Sequence, residues 1–211
     1  MASRLLITDG THKNTLAVLR DLENEYHIDI TSHLPRRKSQ CSYSRYARGF
    51  IRVEDILDTD SYAQELLDIV SAGGYDYLIP ISLQSYIACS KRKKDFTKAT
   101  QSLIPDWKEM QVAFQKERTV ELAEQTGVPV PETIRLQSSD DLKSISTFPI
   151  VLKSSEVSNV RYCATKNELL SEYLKVAKKS RSQIIAQEYV SGFGCGFYGV
   201  YHRGKLMDFF L

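Results

Sequence analysis

A lysine that ends a run of apolar residues is the first place in this chain where residue type and position together suggest chemistry. Phe148-Pro149-Ile150-Val151-Leu152-Lys153 opens on a proline. Proline lacks the N–H of a β-ladder and belongs at the first position or the edge of a strand. Ile150, Val151 and Leu152 predict a short buried strand. Lys153 then carries an ammonium to its end, a point charge with three donors that suits phosphate oxygens at the mouth of a cleft. The plainer alternative is a lysine that marks where the strand reaches water, the usual place for this residue type.

Two other groups of residues invite a chemical reading. Residues 35–48 hold Arg36, Arg37, Lys38, Arg45 and Arg48, with no helical or strand period. A phosphate-binding loop and a solvated surface loop both fit. The run KRKKD at 91–95 reads as the exposed end of a helix, where cations suit the helix dipole. Four cysteines, Cys41, Cys89, Cys163 and Cys195, show neither C-x-x-C spacing nor a histidine at ligand distance. That argues against a zinc site and a disulfide framework, and for a reducing compartment.

The chain has 211 residues, 42% hydrophobic and 26% charged, with a formal net charge of +2. This is enough for one large or two small globular domains, and too little charge to argue for nucleic acid or a membrane surface. The opening MASRLLITDG is too short an apolar run for a signal peptide or a span, which leads us to expect a cytoplasmic protein.

Read in order, residues 4–8 (RLLIT) predict a strand, Asp9-Gly10 a turn, and the spacing of Leu16, Leu19 and Leu22 a helix to about Asn24. HIDIT at 27–31 predicts a second strand. This opening is that of a parallel, Rossmann-like unit, although its turn lacks G-x-G-x-x-G. Residues 50–53 predict a strand, 60–72 a helix stopped by Gly73-Gly74, 76–81 a buried strand and 82–90 a helix. Beyond Trp107, residues 108–125 predict one polar helix ending at Gly127, and the prolines of 128–136 force extended chain. Ser138, Ser139, Asp140 and Asp141 predict a capped short helix. Residues 161–165 predict a hairpin partner for the lysine strand. The helix 167–179 is expected to bury Leu169, Leu170, Leu174 and Ala177. QIIAQEYV at 183–190 predicts an edge strand, SGFGCG at 191–196 a Gly-rich turn, and 197–211 a hairpin turning at Arg203-Gly204.

Lys116, GVPVPET at 127–133, FPIVLK at 148–153 and AQEYVSG at 186–192 occur in this order. In this the chain resembles the ATP-grasp family over nearly its whole length. ITDG, SRYAR at 44–48 and GFGCGFYGVYHRGK resemble its carbamoyl-phosphate-synthase-like branch. The resemblance implies an α/β chain with a Rossmann-like pre-ATP-grasp domain at 1–107. An α+β first lobe follows at 108–186, and the hinge strand and truncated start of the second lobe at 187–211. It implies that ATP meets Lys116 and Lys153 through its phosphates, with Ser154 and Ser155 beside them. Glu188 and Val190 would offer a backbone C=O and N–H to adenine, with Gln187 and Tyr189 alongside. The implied reaction activates a small carboxylate or bicarbonate as an acyl phosphate, releasing ADP and using Mg2+.

The sequence departs from that pattern in three places. The loop SSEVSNVRY at 154–162 has no glycine to wrap phosphates and adds Glu156. Gly194 stands where many relatives hold ribose with a glutamate. The chain stops at Leu211, ahead of the relatives' magnesium ligands, so no metal ligand is assigned within it. These departures lead to two expectations: a ligase or part of one, or a degenerate, non-catalytic nucleotide-binding or regulatory module. A third reading is an α/β domain that binds another anion through residues 35–48. Apolar surface left around 183–190 and the last hairpin is expected to drive self-association, or to mark a fragment of a longer protein.

Overall fold

A computed structural model describes residues 2–54, 56–155, 160–202 and 204–211. Contacts divide the chain into two compact units, Met1–Thr119 and Val120–Leu211.

The first unit is built on a parallel sheet of β1 (Ser3–Ile7), β2 (Tyr26–Ser32), β3 (Gly49–Arg52) and β4 (Tyr77–Ile79), in the order β3-β2-β1-β4. Its helices are α1 (Lys13–Asp21), α2 (Thr59–Gly73), α3 (Leu83–Lys91), α4 (Lys93–Ala99) and α5 (Trp107–Phe114). The strands are apolar on both sides because both faces are covered. Leu5, Ile7, Ile28 and Ile30 pack with Leu19 of α1. Leu6 and Leu78 pack with Tyr62, Leu66, Ala88 and Phe96 of α2, α3 and α4. Asp58 caps α2 through the N–H groups of Asp60 and Ser61, and Gly74 ends it in the left-handed conformation with φ 59°. That conformation carries little penalty without a Cβ.

Two expectations for this unit change. The KRKKD run is not a helix end: the chain breaks at Arg92, and Lys93 opens α4, which the fully buried Phe96 anchors. The helix expected over 108–125 is two, α5 and α6 (Lys116–Gln125), separated by an extended Gln115. The Thr119 hydroxyl donates to the carbonyls of Val112 and Gln115 across that break.

The second unit holds an antiparallel sheet of β5 (Thr133–Leu136), β6 (Ile150–Ser154), β7 (Arg161–Cys163) and β8 (Ile184–Glu188), ordered β5-β8-β6-β7. A 3-10 turn, Ser139–Ser144, carries a full capping box between Ser138 and Asp141. Helix α7 (Lys166–Ala177) covers one face, over Ile150, Leu152, Cys163, Ile184 and Ala186. Its buried side is Leu169, Tyr173 and Val176. Of the four residues expected inside, only Leu169 is; Leu170 and Leu174 are 46% and 48% exposed, and Ala177 is exposed too. A strip at i, i+4 and i+7 includes Tyr173 and leaves the neighbouring leucines outside. The strand expected at an edge is internal as well, since β8 pairs with both β5 and β6. The last element is a ribbon of β9 (Tyr198–His202) and β10 (Lys205–Phe210), exposed along its whole length. The expected Gly-free loop over 154–162 lies partly outside the described residues, as does Arg203 of the final turn.

Candidate functional site

The lysine strand and the hinge strand lie side by side, and the pleat decides which side chains share a face. Thr133, Gln187, Val151 and Tyr162 form one cross-strand row over β5, β8, β6 and β7. Lys153 and Ile185 pair two residues further along. All of these lie on the face opposite α7. Ile150, Leu152, Ile184 and Ala186 take the helix side and form the core.

On the face opposite α7 the side chains form a relay. The Lys153 ammonium donates to Oε1 of Gln187. The Gln187 amide donates to Thr133 Oγ1 at 2.8 Å, and that hydroxyl donates to the Pro131 carbonyl at 2.7 Å. Gln187 is buried and Lys153 half-buried. A buried amide with both ends bonded is held in one orientation, and it fixes the flexible ammonium that it accepts from. Beside the relay, Tyr162 and Tyr189 meet edge to face with ring centroids 5.9 Å apart. Tyr162 is 64% exposed, so an aromatic surface borders the cation.

The other anticipated residues fall in several places. Ser154 ends β6 on the α7 side, where its hydroxyl lies 2.5 Å from that of Ser180 and 2.9 Å from that of Ser182. The structure therefore does not bring it to the face of Lys153; alternation along a strand sends consecutive residues to opposite sides. Ser155 follows it, half-buried. The Glu188 N–H donates to the Glu132 carbonyl and the Tyr189 N–H to that of Pro149, so the ladder engages both groups. The Glu188 carboxylate accepts from the Glu132 N–H. Val190 lies beyond the strand and is 63% exposed. Lys116 is in the first unit, at the opening residue of α6. A helix start repels cations, so the dipole gives no reason for a lysine there.

Thr133, Tyr162 and the role of Gln187 were not anticipated. Thr133 stands inside the GVPVPET run, but only strand register reveals that it faces Gln187. Among the described residues no three His, Cys, Asp or Glu side chains converge to hold a metal ion, so no step is assigned here to a metal held by this chain. Nor is any helix long and apolar enough to cross a membrane, again among the described residues.

The sequence matches no protein-family model and no curated protein. Solved structures do match. The L-amino acid ligase from Bacillus licheniformis superposes with a TM-score of 0.71 at 14% identity, over 91% of this chain and 45% of that one. The biotin carboxylase domain of the 2-oxoglutarate carboxylase from Hydrogenobacter thermophilus, in complex with MgADP, ADP and bicarbonate, gives 0.66 at 17% over 90% and 45%. The N5-carboxyaminoimidazole ribonucleotide synthetase from Thermotoga maritima gives 0.61 at 16% over 89% and 46%. This chain has the fold of ATP-grasp enzymes. It spans slightly less than half the length of these ATP-grasp neighbours. At such identities the likeness concerns the ATP-grasp fold alone.

Proposed function

We propose that this chain binds ATP on the Lys153 face of the second unit's sheet and is part of an ADP-forming ligase. The substrate class is a small carboxylate or bicarbonate, activated as an acyl phosphate in the manner of carboxylate–amine ligases and carbamoyl-phosphate-synthase-like enzymes. One observation carries the reading: Lys153, next to last in the buried strand β6, has its ammonium held by Gln187 on the face opposite α7. In a site that excludes water, an oriented cation neutralises phosphate charge without reorganising during reaction. Ser155 is a second proposed phosphate contact on the second unit; Lys116, in the first unit, is the other lysine that the resemblance implies. Adenine would meet the Glu188 carbonyl and the Val190 N–H, with the two tyrosines beside it.

In this reading residues 1–107 serve as the pre-ATP-grasp domain, 108–186 as the first lobe and 187–211 as the start of the second. Magnesium bound with the nucleotide would supply charge stabilisation for phosphoryl transfer; the residues of this chain bind and orient. A second reading, a non-catalytic nucleotide-binding module, is favoured by the missing glycines of 154–162. Thermal unfolding with and without MgATP tests the nucleotide claim. A ligand that binds only the folded state, at a hundredfold excess over its dissociation constant, adds about 2.7 kcal/mol. An unmoved melting temperature at millimolar MgATP would remove the proposal.

A further inference from the structure

The first unit contains two basic runs, and only one of them is neutralised. In the second run Lys91 pairs with Asp60 at 3.5 Å, Arg92 with Asp95 at 2.9 Å and Lys93 with Asp106 at 2.8 Å. The first run is different. Residues 33–53 contain Arg36, Arg37, Lys38, Arg45, Arg48 and Arg52 and no Asp or Glu. Among the described residues none of these six forms an ion pair, and all are exposed.

Arg36, Arg37 and Lys38 are consecutive on a single 3-10 turn. Three like charges so close repel one another, and a loose loop would spread them. This turn cannot spread. The Lys38 N–H donates to the Pro35 carbonyl at 2.8 Å. The Ser42 hydroxyl donates to the Arg36 carbonyl at 2.6 Å, and the Tyr43 hydroxyl to that of Arg37 at 3.1 Å. Ser39, fully buried, donates to the Gly10 carbonyl at 2.8 Å, and the Cys41 N–H to the same oxygen at 3.0 Å. The carbonyls of 35, 36 and 37 are therefore engaged within the loop, and the three side chains are its exposed charges.

The location adds a second argument. Gly10 follows β1, so the turn is fastened to the carboxyl end of the parallel sheet. Strand order reverses there, with β2 and β3 on one side of β1 and β4 on the other. Open α/β sheets bind ligands in the crevice at that reversal. The nearby Asp9 carboxylate is turned away from solvent. It is buried and accepts from the Ser82 N–H and hydroxyl, each at 2.9 Å, and from the Ser85 hydroxyl at 2.6 Å.

We propose that the Arg36–Lys38 turn is a binding site for a small multivalent anion, bearing phosphate or carboxylate groups, separate from the Lys153 face. The experiment is a calorimetric titration of pyrophosphate, with citrate in a parallel arm, into the whole chain carrying Lys153→Ala. That background removes the lysine on which the ATP reading rests, so the two proposals can fail separately. Replacing Arg36, Arg37 and Lys38 together by alanine is expected to weaken pyrophosphate binding about tenfold or more. Replacing Lys91 and Lys93 by alanine should leave it unchanged. Equal losses for citrate identify any multivalent anion as ligand, and a loss confined to pyrophosphate identifies a phosphate-bearing one. Pyrophosphate binding that persists in the triple variant, or is absent from its parent at low ionic strength, would overturn the proposal.

Discussion

The Lys153 ammonium donates to the side-chain carbonyl of Gln187 on the neighbouring strand, and Gln187 in turn donates to Thr133 on the next. Three strands thus contribute to the placing of one cation. Gln187→Ala removes the acceptor of Lys153 and the donor of Thr133 at a buried position. A loss of about 1–3 kcal/mol in stability is expected, measured by urea unfolding. Gln187→Glu keeps the acceptor but sets a second acceptor against the Thr133 hydroxyl, which can rotate to donate to it. It should therefore cost less than the alanine change; equal losses would mean that the relay contributes nothing.

Asp9 has φ 63°, the left-handed region that Asp and Asn tolerate better than most residues. Its carboxylate accepts from Thr8, Ser82 and Ser85. Asp9→Ala leaves those buried donors without their acceptor and puts at positive φ a residue with no polar side chain to compensate locally. It should destabilise the first unit by on the order of 3 kcal/mol. Asp9→Asn, which retains one carbonyl oxygen and the tolerance of positive φ, should lose visibly less. Urea midpoints of the two variants decide.

Gly49 lies against Asp29: a Cβ there would sit 2.4 Å from Asp29 Oδ1. Asp29 accepts from Arg4 at 3.1 Å and from the Tyr75 hydroxyl at 2.7 Å, so it cannot yield without losing both. Gly49→Ala is expected to cost about 2 kcal/mol, by the same reasoning as overpacking of a filled core. A melting temperature within a degree of the parent would contradict this.

Burial pushes three thiols up: Cys41 to about 11 against the opposing pull of Arg20, Cys89 to about 12 with help from Asp9, and Cys163 to about 11 with help from Glu172 and Glu168. Cys195 is exposed. A thiol-specific disulfide reagent at pH 8 should therefore label one cysteine in the folded chain and four in urea. Between about pH 9 and 11 the unfolded thiols lose their protons while the folded ones keep theirs. Stability is thus fully present below about pH 8.5 and falls as pH rises through that window. The buried Tyr62 and Tyr75, also shifted upward by desolvation, extend the fall to higher pH. A flat urea midpoint from pH 8 to 10.5 would contradict the burial of these groups.

The C-terminal ribbon leaves Phe197, Tyr198, Val200, Tyr201, Phe209 and Phe210 exposed, with Phe197 stacked on Phe209 and Tyr198 on Phe210. A two-stranded ribbon is marginal in water, and an apolar patch of this kind favours association. Sedimentation velocity should show a species larger than monomer that grows with concentration. A clean monomer at high concentration would count against it.

Much of the architecture could be read from residue patterns. The strand IVLK, the Gly73-Gly74 stop and the Ser138 cap each depend on neighbours in sequence, and each forms where expected. What could not be read depends on partners distant in the chain. Nothing local distinguishes Leu170 from Tyr173 as the buried residue of α7; the sheet beneath decides. Nothing in QIIAQEYV says whether a strand has one neighbour or two. The partnership of Lys153 with Gln187 needs the antiparallel register of β6 and β8. That Ser154 turns away from Lys153 follows from the period of two, once the strand is known to continue through it.

The central claim is that Lys153 presents its amine to a nucleotide's phosphates, and the most direct measurement is the calorimetric dissociation constant for MgATP of the parent chain and of Lys153→Ala. The account predicts saturable binding by the parent that weakens about tenfold or more once the ammonium is removed. Equal affinities in the two proteins, or no heat of binding in either, would contradict it.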